Sequence, residues 1–556
     1  MSNTPATTAH RTILYILTFI MGGCGIAYEY TFSKLSSDLL GNSAMQWAII
    51  IGLMMLCMGI GSDIQKRIRD EGLFAKFIYF ESVLGVLGGF GPLLLLYAFG
   101  AFRNHYTVVQ YGLTIIVGLL IGLEIPVLTR INEKYTPELK ANLGGILRMD
   151  YIGAFAGALG WVFVLPVFFS LTQMGFVLGL CNNLAAAIAF VYFRKVVRAS
   201  ASVIAILAVS IAGLGIGLLK APAWSAHAEQ QLYLDKIVYS ATTKFQHIVL
   251  TQSRAGEIYC FLNGNLQFSS FDEHRYHELL VHPAMHCAPR IEHVLVLGGG
   301  DGLAVREILK YPGVQRVTLV DIDPEMTRLA RENEYFLKLN QGSLTDSRVT
   351  TFQAAGISAG ETRPVETRDR VRAMEPAREA TAQVSIVNID AAKFVEHISG
   401  RYDVIIIDFP DPNSRELTKL YSKMFYHNLT DKLTKGGILI QQASSPVIAN
   451  KAFLCVGATM RAAGLVVVPI RGFVPTFGEW GWWIGGRGEA WDETLLSNRL
   501  RHIDTLRVST RYLTSNLIDA SLVFGKNALA DSAIEVNTIM NDVIYTYYRK
   551  ALTRGY

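Results

Sequence analysis

The residues with the strongest chemical character in this chain follow two buried apolar runs. A glycine turn at residues 298–302 contains a carboxylate, Asp301, and a second carboxylate, Asp321, ends the apolar run at 317–320. Glycines let a backbone approach a ligand closely, and an acid about twenty residues further on suits a ribose diol. An aspartate inside the turn is unfavourable beside a pyrophosphate. The pattern therefore favours a nucleoside that carries an amine or a sulfonium, such as an S-adenosyl compound, over a dinucleotide.

The elements that must position these residues read as an α/β domain. A strand at 294–297 leads into the glycine turn and a helix, and the strand at 317–320 follows. Upstream, residues 236–252 and 257–270 alternate like strands, with Asn263-Gly264 as a hairpin turn. We therefore predict a small β domain followed by a doubly wound, methyltransferase-type Rossmann-like domain.

Composition separates the chain into two parts. Of 556 residues, 51% are hydrophobic and only 17% charged, which is too apolar for a wholly soluble protein. The net charge of +5 comes from the first 220 residues, and the near-neutral remainder gives no support to a nucleic-acid-binding surface. The six scattered cysteines lack the paired spacing of a zinc site, so we expect reduced thiols and no metal.

The first part predicts a helical membrane domain over 1–220. Seven apolar runs are long enough to cross a bilayer, and they fall near 12–30, 44–61, 78–101, 106–128, 151–170, 173–193 and 201–219. Basic residues cluster in three of the intervening loops, which the positive-inside rule places in the cytoplasm. Seven crossings would then put the later domain outside, whereas a cytosolic nucleoside substrate would put it inside. We expect a linker at 220–231.

Three acids lie in or at the ends of these apolar runs, at Glu29, Glu81 and Glu124. Acids inside a membrane are costly, and they usually line a cavity or pair with one another. They are read either as structural groups at interfaces or helix contacts, or as a path for cations.

Several motifs in one order identify a family. They are KFQHIVL with Gln246, LNGNLQFSSFDEHRYHE, VLVLGGGDGLAVRE, VDID, YDVIIIDFPDP and GGILIQQ. Together they resemble the spermidine synthase family, the polyamine aminopropyltransferases, over roughly residues 232 to 485 and more loosely over the tail to Tyr548. The apolar half lies outside that resemblance and looks like that of the membrane-fused members.

The resemblance implies a role for each matching residue. The positions that hold the nucleoside are Gln246, Gly298, Gly300, Asp321, Asp390 and Ala391. Asp301 matches the aspartate that takes the aminopropyl ammonium, and Asp408 matches the proton acceptor. The positions on the amine side are Tyr276, His277, Asp411 and Phe477.

The activity implied is aminopropyl transfer from decarboxylated S-adenosylmethionine, as a co-substrate, to a diamine such as putrescine, which gives spermidine. A diamine is dicationic at neutral pH, so its site needs acids at both ends. Its attacking nitrogen must first lose a proton, which a carboxylate can accept. Two alternatives stay open, a methyltransferase on the same fold and a non-enzymatic polyamine carrier or sensor. No cofactor is expected to be bound permanently.

The amine end departs from the family pattern. Asp408 is followed by Phe409 and Pro410, and Phe477 stands where the family has a tyrosine in a Pro-Thr-Tyr segment. Glu479 either restores some of the lost polarity or is a surface acid. The more apolar wall predicts a relaxed choice among diamines.

The remaining expectations concern organisation. We expect a membrane domain at 1–220, a β-hairpin domain at 232–270 and a catalytic domain at 271–556, with a solvated insertion near 354–382. The motif DSRV at 346–349 resembles the family's DPRV, yet the strand expected after it is predicted only at 384–388. The loop at 413–426 could close over the substrate. The expected partners are a diamine and the lipid bilayer, in a homodimer or homotetramer at the cell (inner) membrane with the catalytic domain in the cytoplasm.

Overall fold

The computed structural model describes residues 5–40, 43–194, 197, 201–345, 349–353, 382–530 and 533–553. They form two compact units, residues 1–236 and 237–556. The predicted insertion lies outside the described residues except for Ala382, and so do the first three residues of the DSRV motif.

The described residues of the first unit form helices joined by short connections. Its helices are α1 (Pro5–Leu40), α2 (Ser43–Ile64), α3 (Leu73–Ala101), α4 (Tyr106–Asn132), α5 (Leu139–Phe163), α6 (Leu165–Phe168), α7 (Leu171–Tyr192) and α8 (Ala201–Gln230). Seven stretches of this unit are long and apolar enough to cross a membrane. All seven predicted apolar runs fall on these helices. The predicted linker at 220–231 is wrong, because α8 continues to Gln230 with Pro222 inside it.

The three acids of the helical unit are buried. Glu29, Glu81 and Glu124 are 6%, 1% and 5% exposed. Glu81 and Glu124 lie close enough for their carboxyl groups to interact electrostatically. Close helix packing surrounds them, since a Cβ on Gly85 of α3 would lie 2.8 Å from the Gly179 carbonyl oxygen of α7.

A four-stranded sheet opens the second unit. Its strands, β1 (Lys236–Thr242), β2 (His247–Gln252), β3 (Ile258–Leu262) and β4 (Asn265–Ser269), follow one another in chain order. The predicted hairpin turn is confirmed between β3 and β4, where Asn263 and Gly264 have φ of 50° and 76°.

The catalytic sheet has eight strands, β5 (His293–Gly298), β6 (Arg316–Asp321), β7 (Val349–Gln353), β8 (Gln383–Asn388), β9 (Tyr402–Asp408), β10 (Leu433–Gln442), β11 (Leu465–Val474) and β12 (Gly478–Arg487). Their order is β7-β8-β6-β5-β9-β10-β12-β11. In this sheet β12 pairs antiparallel with both β10 and β11, and the other neighbouring strands pair in parallel. The chain winds one way from β5 to β6 and β8, then the other way to β9 and β10. This reversal confirms the doubly wound Rossmann-like fold.

One strand was missed in the sequence. The expected strand at 384–388 is present as β8, but β7 begins at Val349, the last residue of the DSRV motif, and pairs with β8 in parallel. The insertion therefore separates two neighbouring strands of the sheet.

Ten helices accompany the sheet: α9 (Glu273–Cys287), α10 (Leu303–Ile308), α11 (Pro324–Glu332), α12 (Glu334–Asn340), α13 (Ala391–His397), α14 (Lys423–Thr430), α15 (Asn450–Ala462), α16 (Glu493–Arg501), α17 (Ser515–Ser521) and α18 (Val543–Thr553). They cover both faces, so alternate residues of one strand enter two different cores. Val294 and Val296 pack into one core, and Leu295 and Leu297 pack into the other.

Candidate active site

The carboxyl ends of β5 and β9 meet where the strand order reverses, with Gly298 directly beside Asp408. In open α/β sheets ligands bind outside this point. A Cβ on Gly298 would lie 2.2 Å from the Asp408 carbonyl oxygen, and one on Gly300 would lie 2.6 Å from Asp321 Oδ2. Only glycine permits these approaches, so the turn holds the ends of three strands together.

Asp321, at the end of β6, is oriented by the backbone. Its Oδ2 accepts a hydrogen bond from Gly300 N–H at 3.0 Å, and its Oδ1 accepts one from Asp323 N–H at 2.8 Å. Burial raises the pKa of Asp321 to about 7, although these two hydrogen bonds oppose the shift. Gln246 Nε2 donates to Asp323 Oδ2 at 2.9 Å, which ties the β1–β2 loop to the segment that follows β6.

Asp390 and Ala391 follow the neighbouring strand β8. Asp390 caps α13 by accepting a hydrogen bond from Ala392 N–H at 2.9 Å, and its other oxygen pairs with Lys419. Burial would raise the pKa of Asp390, but Lys419 and the cap hold it below its usual value. Ala391 is buried, 7% exposed.

Asp408, at the end of β9, lies beside two residues of α9. Tyr276 Oη donates to Asp408 Oδ1 at 2.6 Å, and His277 Nε2 lies 4.0 Å from Asp408 Oδ2. Burial raises the pKa of the Asp408 carboxyl, and both neighbours oppose that rise. Asp408 therefore combines proton affinity with a fixed orientation.

A buried charge chain continues behind His277. His277 Nδ1 lies 3.0 Å from Glu273 Oε2. The Arg306 guanidinium donates a hydrogen bond to each of the two Glu273 carboxylate oxygens at 2.9 Å. Burial disfavours the imidazolium, yet Glu273 raises the pKa of His277 to about 9. The charged start of α9 is interior, because Glu273 and His277 are only 1% and 2% exposed.

Asp301 reaches the same region from the glycine turn. Its Oδ1 accepts a hydrogen bond from Leu303 N–H at 2.9 Å. Burial raises the pKa of Asp301 to about 6, against the influence of the His277 imidazolium.

Asp411, beyond β9, has one engaged oxygen and one unengaged oxygen. Oδ2 accepts from Tyr548 Oη at 2.9 Å and lies 3.4 Å from Ser444 Oγ. Oδ1 is buried and has no partner among the described residues. Burial raises the pKa of Asp411 to about 6, and the Tyr548 hydroxyl opposes the shift most strongly.

The predicted apolar wall is only partly present. Phe477 lies beside Tyr276 and Trp480, with ring centroids at 6.4 and 5.0 Å. Phe409 instead packs into the core against Tyr421 and Phe425.

Glu479 is a paired surface acid. It lies 2.9 Å from Arg471 Nη1 and is about 30% exposed. It therefore does not restore the polarity that Phe477 lacks.

Comparison with known proteins places the chain. The spermine/spermidine synthase domain matches residues 273–359 and 372–492. Polyamine aminopropyltransferase 2 of Ralstonia nicotianae is 34% identical over 97% of this chain and 98% of its own length. The chain belongs to the spermine/spermidine synthase family.

This family member is a polyamine aminopropyltransferase. Polyamine aminopropyltransferase 1 of Streptomyces coelicolor is 36% identical over 98% of this chain and 96% of its own length, so the likeness includes the helical unit. A spermidine synthase of known structure from Thermotoga maritima, 22% identical, aligns with a TM-score of 0.41 over 53% of this chain and 87% of that one.

Sequence reasoning missed three residues of the site: Glu273, Arg306 and Tyr548. Glu273 had a local signal, since it precedes His277 by one helical turn. Arg306 and Tyr548 reach their partners from 33 and 137 positions away, and no local pattern announces such contacts.

Proposed function

We propose that this enzyme transfers the aminopropyl group of decarboxylated S-adenosylmethionine to putrescine, which gives spermidine and 5'-methylthioadenosine. The position of Asp408 carries the proposal. A Cβ on Gly299 would lie 3.3 Å from its Oδ2, so the carboxylate faces the turn that approaches the nucleoside.

The nucleoside side is assigned from the strand ends. Asp321 would accept the ribose hydroxyls, and Asp390 and Ala391 would flank the adenine. Gly298 and Gly300 let the backbone approach closely, and Gln246 fixes Asp323 beside the ribose acid. The ligand is a sulfonium with a free ammonium, which suits an anionic turn.

On the amine side, three carboxylates receive cations. Asp301 holds the ammonium of the aminopropyl group, and Asp411 Oδ1 receives the distal ammonium of the diamine. Asp408, oriented by Tyr276 and His277, accepts a proton from the attacking ammonium. The freed nitrogen attacks the carbon bonded to sulfur, the C–S bond breaks, and a neutral thioether leaves with the electron pair. Alignment of the two substrates supplies most of the acceleration.

The test is an assay of the purified full chain with the decarboxylated nucleoside and a panel of amines. We expect spermidine and methylthioadenosine in equal amounts. Calorimetry separates the methyltransferase alternative, because that enzyme must hold the methionine carboxylate, which Asp301 repels. Tighter binding of S-adenosylmethionine than of its decarboxylated form would overturn the proposal.

For the helical unit, we propose a multi-pass anchor in the cell (inner) membrane with the catalytic unit in the cytoplasm. Seven sufficiently apolar helices support the anchor, and a cytosolic nucleoside supports the side. The basic loops argue for the opposite side. Protease digestion of right-side-out and inverted vesicles distinguishes a cytoplasmic from an external catalytic unit. Cleavage of the catalytic unit only in right-side-out vesicles would overturn the cytoplasmic placement.

We propose a homodimer or homotetramer as the assembly. Light scattering of the detergent-solubilised chain tests this proposal, and a monomer at micromolar concentration would contradict it.

A further inference from the structure

The C-terminal segment, residues 533–553, lies beyond the part of the chain that matches the synthase domain, which ends at residue 492. It nevertheless reaches the acids of the catalytic site. Its helix α18 brings the Tyr548 hydroxyl to Asp411 Oδ2 at 2.9 Å.

The same segment fixes the loop that follows Asp411. Asn537, which is fully buried, donates from Nδ2 to the carbonyl oxygens of Thr418 and Tyr421 at 3.0 and 3.1 Å. Its own carbonyl oxygen accepts from Lys423 N–H at 2.9 Å. Thr418 Oγ1 donates to Asp542 Oδ1 at 2.7 Å. The loop expected to close over the substrate is therefore already held by the chain itself, as a 3₁₀ helix at Arg415–Tyr421.

Tyr548 also orients the Asp411 carboxylate while leaving one of its two oxygens free to accept a hydrogen bond. One oxygen of the carboxylate accepts the tyrosine hydroxyl, while buried Oδ1 has no partner among the described residues. A buried acceptor without a donor is unfavourable unless a ligand supplies one. Phe477 lacks the hydroxyl expected at this end of the site, so Tyr548 brings a phenol from a different element.

We propose that Tyr548 is a positioning residue for the acceptor amine, which turns Asp411 Oδ1 toward the distal ammonium of a diamine. The inference rests on the proposed function. Its consequence is selective: an acceptor without a second ammonium makes no use of Asp411 and hence none of Tyr548.

The experiment compares putrescine with butylamine, which has the same carbon chain but one amine, in the wild type and in Tyr548→Phe. We expect kcat/KM for putrescine to fall about tenfold, the equivalent of ~1.4 kcal/mol, mainly through a higher KM. The value for butylamine and the KM for the nucleoside should stay within about twofold. The ratio of the kcat/KM values for the two amines does not depend on the fraction of enzyme that is folded.

The matched control is Tyr547→Phe. Tyr547 is on the same helix, but its hydroxyl contacts Glu535 at 3.4 Å, away from Asp411. Tyr547→Phe should leave kcat/KM for both amines unchanged. An unchanged putrescine-to-butylamine ratio in Tyr548→Phe would overturn the inference, as would equal losses in both variants. A wild type that modifies neither amine would instead overturn the proposed function.

Discussion

Buried acids occur in both units, but they differ in the hydrogen-bond donors that reach them. Asp321, Asp408 and Asp411 each accept a hydrogen bond from a named backbone or tyrosine group. In the helical unit, neither oxygen of Glu81 nor Oε1 of Glu124 accepts one from any described residue. Hydrogen bonds fix the orientation of the first set, whereas the described residues supply no donor to these three oxygens of the second set.

The nearest cations of α3 and α4 do not compensate Glu81 and Glu124. Lys76 donates to the Arg69 carbonyl oxygen, and Arg130 binds the loop around Asp70. A buried carboxylate without a partner costs several kcal/mol, so such a pair holds a proton or receives a cation. The cation path in this unit stays a prediction, and the contrast between the two sets can be tested.

The largest effect is expected from Asp408→Asn. The amide keeps the shape of the side chain but cannot accept the proton, so turnover should fall by about 10²- to 10⁴-fold. Calorimetry should show unchanged nucleoside binding. Glu124→Gln, a buried acid of the helical unit, should spare turnover. Near wild-type product formation by Asp408→Asn would contradict the role assigned to Asp408.

The next largest effect is expected on the free energy of unfolding. Glu273→Gln removes the carboxylate that pairs with both Arg306 and His277 in the interior and leaves Arg306 with Glu307 alone, which should cost about 3 kcal/mol. Glu81→Gln removes an acid that has no donor, and it should be neutral or stabilising. Thermal unfolding of the full chain measures both. Equal destabilisation by the two variants would contradict the difference that we infer between the buried acids of the two units.

The expected pH dependence of kcat/KM follows from the two acids that we propose bind the amines. Burial raises the pKa values of Asp301 and Asp411 to about 6, and both must be ionised to hold ammonium groups. They are ionised above that pH and become protonated as the pH falls through it. We expect kcat/KM for putrescine to decline below pH 6, more steeply than a single group allows. Asp411→Asn should flatten that slope, and a constant rate from pH 7 to 5 would contradict the assignment.

A transport assay tests the helical unit. If Glu29, Glu81 and Glu124 line a cation path, liposomes containing the full chain should take up labelled spermidine. Changing any of them to Gln should slow uptake several-fold and spare the catalytic rate. Glu133→Gln, at a helix end, is the control. Uptake equal to that of empty liposomes would leave the unit as an anchor only.

The smallest effect concerns diamine length. Phe477 offers an apolar wall to a methylene chain, so cadaverine should follow putrescine within ~1 kcal/mol, about fivefold in kcat/KM. Competition between the two amines measures this. A preference above a hundredfold would show that the site discriminates chain length.

Local sequence patterns predicted most of the fold, and the family motifs pointed to the acids that the structure brings together at the strand ends. The strands at 294–297 and 317–320, the hairpin at Asn263 and the seven apolar runs all carry short-range signals, and the structure contains each. The linker at 220–231 was wrong because Pro222 is tolerated inside α8. Contacts made over long separations, such as Arg306 with Glu273, depend on tertiary packing that periodicity does not encode.

The glycine turn also limits how this enzyme can evolve. Because the Cβ positions of Gly298 and Gly300 are occupied by Asp408 and Asp321 atoms, no single substitution there leaves the turn and both acids in place. The amine end is built from side chains such as Phe477 and Tyr548, which can change without moving a backbone. Adaptation to new acceptors therefore has its accessible mutations at the amine end, while the nucleoside remains a fixed requirement.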